Sequence, residues 1–340
     1  MIISITNQKG GTGKTTTAIN LSAALAFKKR KVLLIDMDPQ AHACWGVGVR
    51  EGDCLSLYEV LSPQAEKRVS FKEILKKVDD NFWIAPSSIL LSVLEQQLAD
   101  SKDKDLRLKM ALEKERVEED FDFIIIDCPP NLGFLTVNAL RASSQILIPL
   151  QPNIFAFKGL EYLLQLVDII KEKTNQNLSW KILITCFDAR LKYTYKFISQ
   201  IKETYPDNMC DTIIHVNVTL CKAQEEGKHI FSFDKYSRGA KDYFMLAEEI
   251  LSQDNKVAWN IEVEEEADKI YVVGDFNSWR ISEQFMLNKL DGNKFRNTFY
   301  LSPGRYKYRL VVDGRWQEDK SNPLRVKNPF GEYDSVVELK

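Results

Sequence analysis

The chain has 340 residues, enough for two domains, and 44% of them are hydrophobic, which excludes a disordered chain. Its formal net charge of −2 gives no overall basic field that would favour nucleic acid, and no apolar run approaches the ~18 residues that span a bilayer. The six cysteines include no Cys-x-x-Cys pair, so they predict neither a zinc site nor an iron–sulfur site. We interpret them as reduced, mostly buried thiols of a cytoplasmic protein.

The first predicted strand, residues 2–6, runs directly into a glycine-rich loop that precedes a helical pattern over residues 16–27. The glycines of such a loop let backbone N–H groups turn towards phosphate oxygens, and a helix N-terminus favours anions. Lys14 can reach the β- and γ-phosphates, and the Thr15 hydroxyl can ligate Mg²⁺. The general pattern has glycine where Gln8 stands, and a second lysine follows instead. The candidate nucleotide-binding residues are Lys9, Gly10, Gly11, Thr12, Gly13, Lys14, Thr15 and Thr16.

Acidic residues follow two further strand-like runs. Asp36 and Asp38 come after residues 32–35, and Asp127 ends the apolar run 123–126 in the Walker B form. In a parallel sheet such acids emerge at the carboxyl edge beside the phosphate loop. A lone aspartate here would more simply be a cap or turn residue, but three motifs together favour a nucleotide and Mg²⁺ site.

Strand-like and helix-like runs alternate up to about residue 252, which predicts an α/β domain with a parallel sheet over residues 1–252. Beyond the polar segment 252–255, interpreted as a linker, strand formers and turn dipeptides such as Asp291-Gly292 dominate. Residues 257–340 therefore predict a small all-β sandwich. The predicted fold class is a parallel-sheet P-loop NTPase domain followed by a small all-β sandwich domain.

Residues 1–252 resemble the ParA/Soj family of partitioning ATPases, within the MinD/ParA class. The motifs that carry the resemblance are residues 9–17, 36–40 and 126–130, with support from residues 85–87, 149–152 and 159–160. The resemblance implies ATP and Mg²⁺ as cofactors, slow ATP hydrolysis that acts as a molecular switch, and a ParB-like activating protein.

The same resemblance implies roles for single residues. Lys9 would be the signature lysine that reaches the partner's ATP, so ATP would join a homodimer. Asp38 would position the attacking water, and Thr15, Asp38 and Asp127 would form the magnesium site. Asp36 would be a structural or magnesium-shell residue. The segment 185–190 would lie near the adenine.

ParA-like proteins bind DNA without sequence preference, which implies nucleoid association here. The run that carries two arginines in the family has Val216 and Thr219 instead. The basic residues that remain nearby could contact phosphates or could form an ordinary solvated face. They are Lys222, Lys228, Lys235, Arg238 and Lys241. The membrane-cycling members of the class end in an amphipathic helix, whereas this chain ends in a β module, so no membrane partner is expected.

Residues 257–340 resemble the glycogen-binding domain of the AMP-activated kinase β subunit and the early-set modules of isoamylase-type enzymes. The resemblance rests on residues 273–279, 303–309, 312–316, 322–323 and 330–331. It implies that Trp279 and Trp316 stack on an α-glucan, with Arg309 where the family often has a lysine. Asp334 falls near a family asparagine. The alternative is a module that has lost sugar binding and serves as a spacer or a dimer contact.

Together these features indicate a dimerising partitioning or positioning ATPase whose β module binds an α-glucan or a protein. A second hypothesis is a nucleotide-controlled regulatory scaffold that binds neither DNA nor carbohydrate and uses the β module for protein interaction. A metabolic ATP-dependent ligase shares the P-loop class, but no substrate-site signature supports it.

Overall fold

The structure, a computed structural model, describes residues 1–50, 55–62, 69–153, 155–254, 257–290, 292–301, 303–328 and 331–339. Asn255 of the predicted linker, Asp291 of a predicted turn, Phe330 of the module motif and Cys54 lie outside the described residues. The chain divides into two compact units, Met1–Glu249 and Ile250–Lys340, and each is described by itself.

The first unit is built on an eight-stranded sheet in the order β3-β4-β2-β5-β1-β6-β7-β8. Neighbouring strands are parallel, except that β3 runs antiparallel to β4 at one edge. Central strands such as β5 are buried at every position, as expected where helices cover both faces of a sheet. The predicted parallel α/β fold is confirmed. The strands are β1 (Ile2–Ile5), β2 (Val32–Asp36), β3 (Lys76–Asp79), β4 (Phe82–Ala85), β5 (Phe123–Asp127), β6 (Gln145–Leu150), β7 (Ser179–Phe187) and β8 (Met209–His215).

Helices pack on this sheet through two apolar clusters, one that contains Ile124 with Leu108 and one that contains Ile182 with Leu163. Within the described part of the chain, no helix is both long enough and apolar enough to span a membrane. The helices are α1 (Lys14–Phe27), α2 (His42–Gly46), α3 (Leu57–Leu61), α4 (Leu94–Gln97), α5 (Arg107–Lys114), α6 (Val117–Asp120), α7 (Phe134–Ala142), α8 (Ala156–Thr174), α9 (Lys192–Thr204), α10 (Val218–Glu225), α11 (Ile230–Asp234) and α12 (Arg238–Asp254).

The strand register brings the predicted motifs to one edge of the sheet. Asp127 pairs with Ile5 on one side and with Asp36 on the other, so the ends of β1, β5 and β2 are neighbours. The chain leaves β1 at this edge, forms the glycine-rich loop and enters α1. The loop and all three aspartates therefore lie at the carboxyl edge of the sheet.

The second unit is an all-β module of two antiparallel sheets. One sheet has the order β10-β13-β16-β15, with β14 paired to β13, and the other has the order β11-β12-β9. Ile261 and Phe295 of one sheet share an apolar core with Val272 and Leu310 of the other, which confirms the predicted β domain. The strands are β9 (Val257–Glu264), β10 (Ile270–Gly274), β11 (Asn288–Lys289), β12 (Lys294–Leu301), β13 (Gly304–Val312), β14 (Arg315–Gln317), β15 (Arg325–Lys327) and β16 (Tyr333–Leu339).

Candidate functional site

The glycine-rich loop has the backbone conformation that phosphate binding requires. Gly11 and Gly13 have φ values of +74° and +82°, in the left-handed region where a Cβ is strained. Apart from the adjoining residues of the chain, no heavy atom of the described residues lies within 4 Å of the place that a Cβ would occupy at Gly10 or Gly11, so this side of the loop is open. Gly13 caps α1 without a side-chain hydrogen bond, which leaves the first N–H groups of the helix available to an anion.

Lys14 is buried within the curve of the loop. Its Nζ donates to the backbone oxygen of Lys9 at 3.0 Å, and the Thr12 hydroxyl donates to the same oxygen at 3.4 Å. Burial lowers the pKa of Lys14, while the charges of Asp127, Cys128 and Asp38 oppose that shift. The ammonium group thus bonds to a neutral carbonyl, and a phosphate oxygen would be a stronger partner for it.

Asp127 is a fully buried carboxylate, and neither of its oxygens has a hydrogen-bond partner among the described residues. Burial raises its pKa well above the usual value, and the charge of Asp36 adds to the rise. The nearby Thr15 hydroxyl and Lys14 ammonium oppose it, although neither forms a hydrogen bond of standard geometry to the carboxylate. An unpartnered buried carboxylate is costly unless a cation approaches it.

These residues fit a magnesium ion held together with a nucleotide. Mg²⁺ is usually bound through one or two carboxylates plus substrate phosphates rather than by a complete protein cage. In keeping with this, the described residues contain no group of three or more His, Cys, Asp or Glu side chains that could hold a metal alone. Thr15 and Asp127 are the residues placed to contribute to such a site.

Asp36 and Asp38 differ in their partners. The Asp36 carboxylate accepts hydrogen bonds from the backbone N–H groups of Asp38 at 3.1 Å and Cys44 at 3.0 Å, and burial raises its pKa to about 7. It therefore shapes the loop between β2 and α2. Asp38 is buried beside it, and its backbone oxygen accepts a 2.6 Å hydrogen bond from the Ser87 hydroxyl. The role of Ser87 was not predicted, because the contact joins residues 49 positions apart in the chain.

The Lys9 side chain is exposed and forms no hydrogen bond or ion pair with any residue that the structure describes. Its backbone is fixed, because the Lys9 N–H donates to Asn7 Oδ1 at 3.0 Å and Asn7 Nδ2 donates to the Pro149 oxygen at 2.7 Å. Asn7 thus attaches the start of the loop to the end of β6, a role that the sequence did not reveal. The Lys9 ammonium remains free to reach a group outside its own chain.

A cavity of about 190 Å³ lies beside the loop, in contact with Gly13 and Thr16. Its lining is mostly apolar and comes from the end of the phosphate loop, the end of β7, the end of β8 and the start of α10. Within the predicted adenine segment, only Thr185 and Cys186 line it, and the Thr185 hydroxyl donates to the Thr12 oxygen at 2.8 Å. The other lining residues include His215, Val216, Asn217, Cys221 and Tyr243. We call this the base cavity, because the resemblance predicts that the adenine lies near residues 185–190.

The rest of the predicted adenine segment points elsewhere. Asp188 pairs with Arg190 at 2.6 Å, and this guanidinium lowers the pKa of Asp188 to about 2. Neither residue lines the base cavity. The segment therefore contributes to the cavity only through its first two residues.

The basic residues considered for DNA binding are all exposed. Lys228 is paired with Glu226 at 2.9 Å, and Lys235 lies over the ring of Tyr236. Val216, which stands where the family has arginine, is 55% exposed, so an arginine there would reach solvent. DNA binding stays a prediction.

In the β module, Trp279, Arg309 and Trp316 line one cavity of about 430 Å³, which we call the module cavity. Trp316 is 44% exposed, and Trp279 donates through Nε1 to Asp275 Oδ1 at 3.2 Å. The Arg309 guanidinium pairs with Glu332 and also donates to the Trp316 oxygen at 3.3 Å, while its buried Nε has no partner among the described residues.

Three further residues of the module cavity were not predicted as site residues, namely Asp275, Lys307 and Asn328. Asn328 Nδ2 donates to Asp334 Oδ1 at 3.0 Å, so an amide lies beside the aspartate that falls near a family asparagine. No local pattern predicts this pairing, because Asn328 follows β15 and Asp334 belongs to β16.

The fold and the nucleotide site define a P-loop ATPase that uses ATP and Mg²⁺. Residues 1–180 match a family model described as an AAA domain, and residues 257–340 match one described as the glycogen recognition site of AMP-activated protein kinase. The chain is 40% identical over 252 residues to the sporulation initiation inhibitor protein Soj of Bacillus subtilis, with 73% of this chain and 97% of that protein covered. The chain belongs to the ParA/Soj family of partitioning ATPases, as its motifs predicted.

Two further comparisons agree. The chain is 40% identical to the chromosome-partitioning ATPase Soj of Treponema pallidum, with 74% of this chain and 96% of that protein covered. A structure of cobyrinic acid a,c-diamide synthase from Mycobacterium smegmatis, with a bound ATP analogue and magnesium, aligns with a TM-score of 0.65 at 30% identity. That alignment covers 74% of this chain and 94% of the synthase chain.

Proposed function

We propose that this protein is a positioning ATPase that dimerises on ATP, hydrolyses it slowly as a switch, and carries an α-glucan-binding module. The observation that carries the proposal is that one chain combines two unlike sites. One has a buried, unpartnered carboxylate beside a phosphate loop, and the other has two tryptophans around a cavity. A glucan particle, or another cargo held by the module, would be distributed through the ATP cycle, with the nucleoid as one surface for positioning.

The nucleotide would be bound by the residues already described. Backbone N–H groups from Gly10 to the start of α1 would hold the phosphates, and Lys14 would exchange the Lys9 oxygen for a phosphate oxygen. Bound Mg²⁺ would neutralise charge on the phosphates, with Thr15 and Asp127 beside it. Asp38 would orient the attacking water, and the Ser87 hydrogen bond would hold its backbone in place.

Dimerisation follows from the free Lys9 ammonium. A lysine with no partner in its own chain can offset the charge of a triphosphate bound to a second copy. Each site would then be completed by the partner's Lys9, which makes hydrolysis dependent on assembly. A ParB-like protein would accelerate the switch by acting on this assembled form.

The module cavity suits a neutral sugar better than an anion. Its lining contains Asp275 and Asp334 as well as Lys307 and Arg309, so the charges balance. Tryptophan faces can stack on the apolar face of a pyranose while the polar groups bond to hydroxyls. An α-glucan is the ligand class that this combination favours.

One observation favours the scaffold hypothesis instead. Arg309, the residue expected to bond to sugar hydroxyls, is already paired with Glu332. If this ion pair persists in solution, the module would present a closed surface to a protein partner.

Sedimentation of the Asp38→Ala variant tests the proposal, because loss of the water-positioning group should trap the ATP-bound state. With ATP, we expect a dimer that co-sediments with glycogen and is retained on DNA; with ADP, we expect a monomer that still binds glycogen. A monomer at saturating ATP would refute the switch. Failure to sediment with glycogen would support the scaffold hypothesis, and Trp279→Ala with Trp316→Ala serves as the binding-deficient control.

A further inference from the structure

Two free cysteines line the base cavity, Cys186 from β7 and Cys221 from α10. Cys221 is exposed and Cys186 is half-buried. The cavity also contacts Gly13 and Thr16 of the phosphate loop, so both thiols lie beside the nucleotide site. The two cysteines therefore line the same small cavity of about 190 Å³.

The backbone at Cys186 supports this placement. Cys186 has φ +50°, a left-handed conformation that is uncommon for residues with a Cβ. It lies where the β7–β8 register shifts, between Ile184 and Phe187. Irregularities of this kind redirect a side chain relative to a regular strand. The regular geometry of β7 is therefore interrupted at Cys186, which lines the base cavity.

We propose that Cys186 and Cys221 form an oxidisable thiol pair, and that a small-molecule disulfide converts it into a cross-link that excludes the nucleobase from the cavity. This inference rests on the proposed placement of the base. It goes beyond the ATP cycle, because it adds a covalent control of nucleotide binding.

The environments of the two thiols set the order of reaction. The exposed Cys221 thiolate attacks one sulfur of the small disulfide, whose S–S bond breaks and releases one thiol. Burial, and after it the charge of Cys221, raises the pKa of Cys186, so this thiol is a poor first attacker. Once Cys186 has lost its proton to solvent, it attacks the Cys221 sulfur and releases the second small thiol. Two protein thiols lose two electrons and two protons, and the disulfide becomes two thiols.

The cross-link would tie α10 to β7 across the space that the base would occupy. The rest of the phosphate loop would remain open, because Gly10, Gly11 and Lys14 do not line the base cavity. Oxidation should therefore remove the contribution of the base to affinity and leave that of the triphosphate.

The experiment uses the full chain with Cys54→Ser, so that a disulfide through Cys54 cannot compete with the proposed link. The protein is treated with glutathione disulfide, the link is located by peptide mapping, and the affinities for ATP and tripolyphosphate are measured. We expect a Cys186–Cys221 disulfide and an ATP affinity at least ~10-fold weaker, close to that for tripolyphosphate, which should be unchanged. A thiol reductant should restore ATP binding, and prior saturation with ATP should slow the reaction.

Variants separate the two thiols. Cys221→Ser should make the protein insensitive to glutathione disulfide, and Cys186→Ser should stop at a glutathione adduct on Cys221. Cys210→Ser removes a buried thiol that does not line the cavity, and it should behave like the parent.

The proposal is overturned if the parent forms no Cys186–Cys221 link, or if the link forms and ATP affinity does not change. If untreated protein binds ATP no more tightly than tripolyphosphate, the placement of the base is wrong, and the thiol inference fails with it. If untreated protein binds neither ligand, the proposed function itself fails.

Discussion

The nucleotide site and the module cavity differ in how their charged side chains are partnered. At the nucleotide site, neither Asp127 nor Lys14 is hydrogen-bonded to a charged side chain of the described residues, since the Asp127 oxygens have no hydrogen-bond partner there and Lys14 donates to a backbone oxygen. In the module cavity, Arg309 is paired with Glu332, and Asp334 with Asn328. A site with uncompensated charge requires a charged ligand, whereas a site with internally matched charge favours a neutral one. The contrast agrees with a nucleotide–magnesium site in the first unit and with the proposed sugar site in the module.

The sharpest test of the charged side of this comparison is Lys14→Gln, which removes the positive charge from the phosphate loop. We expect ATP hydrolysis to fall by about 10²–10³-fold, the scale for loss of one group that stabilises transition-state charge. Steady-state phosphate release measures the effect, and Lys173→Gln on the exposed face of α8 is the matched control. Activity within a few-fold of the parent would show that Lys14 does not contact phosphate.

Asp127→Asn tests whether the unpartnered carboxylate contributes to magnesium binding while it lowers the stability of the fold. Magnesium-dependent hydrolysis should be lost, while the nucleotide-free protein should become more stable by about 1–3 kcal/mol, because folding no longer shifts a buried carboxyl group away from its ionised form. Activity assays and thermal unfolding report the two effects. A loss of both activity and stability would mean that Asp127 is structural.

The same variant changes the dependence of stability on pH. Burial raises the pKa values of Asp36 and Asp127, so the folded state holds protons that the unfolded state has lost. The carboxyl groups ionise near pH 4 in the unfolded state and only at higher pH in the folded state. The stability of the nucleotide-free protein should therefore decrease as the pH rises from about 4 to about 7. Asp127→Asn should flatten this slope, and an unchanged slope would contradict the raised pKa.

On the matched-charge side, Trp316→Ala should weaken glycogen binding by about 10-fold or more, since one stacking face is removed. Co-sedimentation with glycogen measures the change. Tyr300→Ala is a suitable control, because Tyr300 is 62% exposed in the same module and does not line the cavity. Equal binding by the two variants would remove Trp316 from the sugar site.

Glu332→Gln should have the smallest effect and refines the comparison. The substitution weakens the ion pair with Arg309 and frees the guanidinium for a sugar hydroxyl. We expect glycogen binding to become about 2–3-fold stronger, a change of the size that one surface ion pair contributes. A loss of binding would instead show that the ion pair shapes the cavity.

The sequence by itself determined the class of fold, the phosphate loop and the acids at the strand ends. These depend on local patterns, namely apolar runs that form buried strands, glycines that permit positive φ, and an aspartate at a strand terminus. It also identified the module through its tryptophans and turn dipeptides. Such features are readable because each is formed by residues close together in the chain.

Only the tertiary structure decided which groups share a site and which lack partners. Asn7 anchors the loop to Pro149, Ser87 holds Asp38, Asn328 meets Asp334, and Cys186 shares a cavity with Cys221. Each pair joins residues from different elements, and their distances follow from strand order and register. Whether a carboxylate such as Asp127 has hydrogen-bond partners depends on every residue that folding brings near it. No local sequence pattern contains that information.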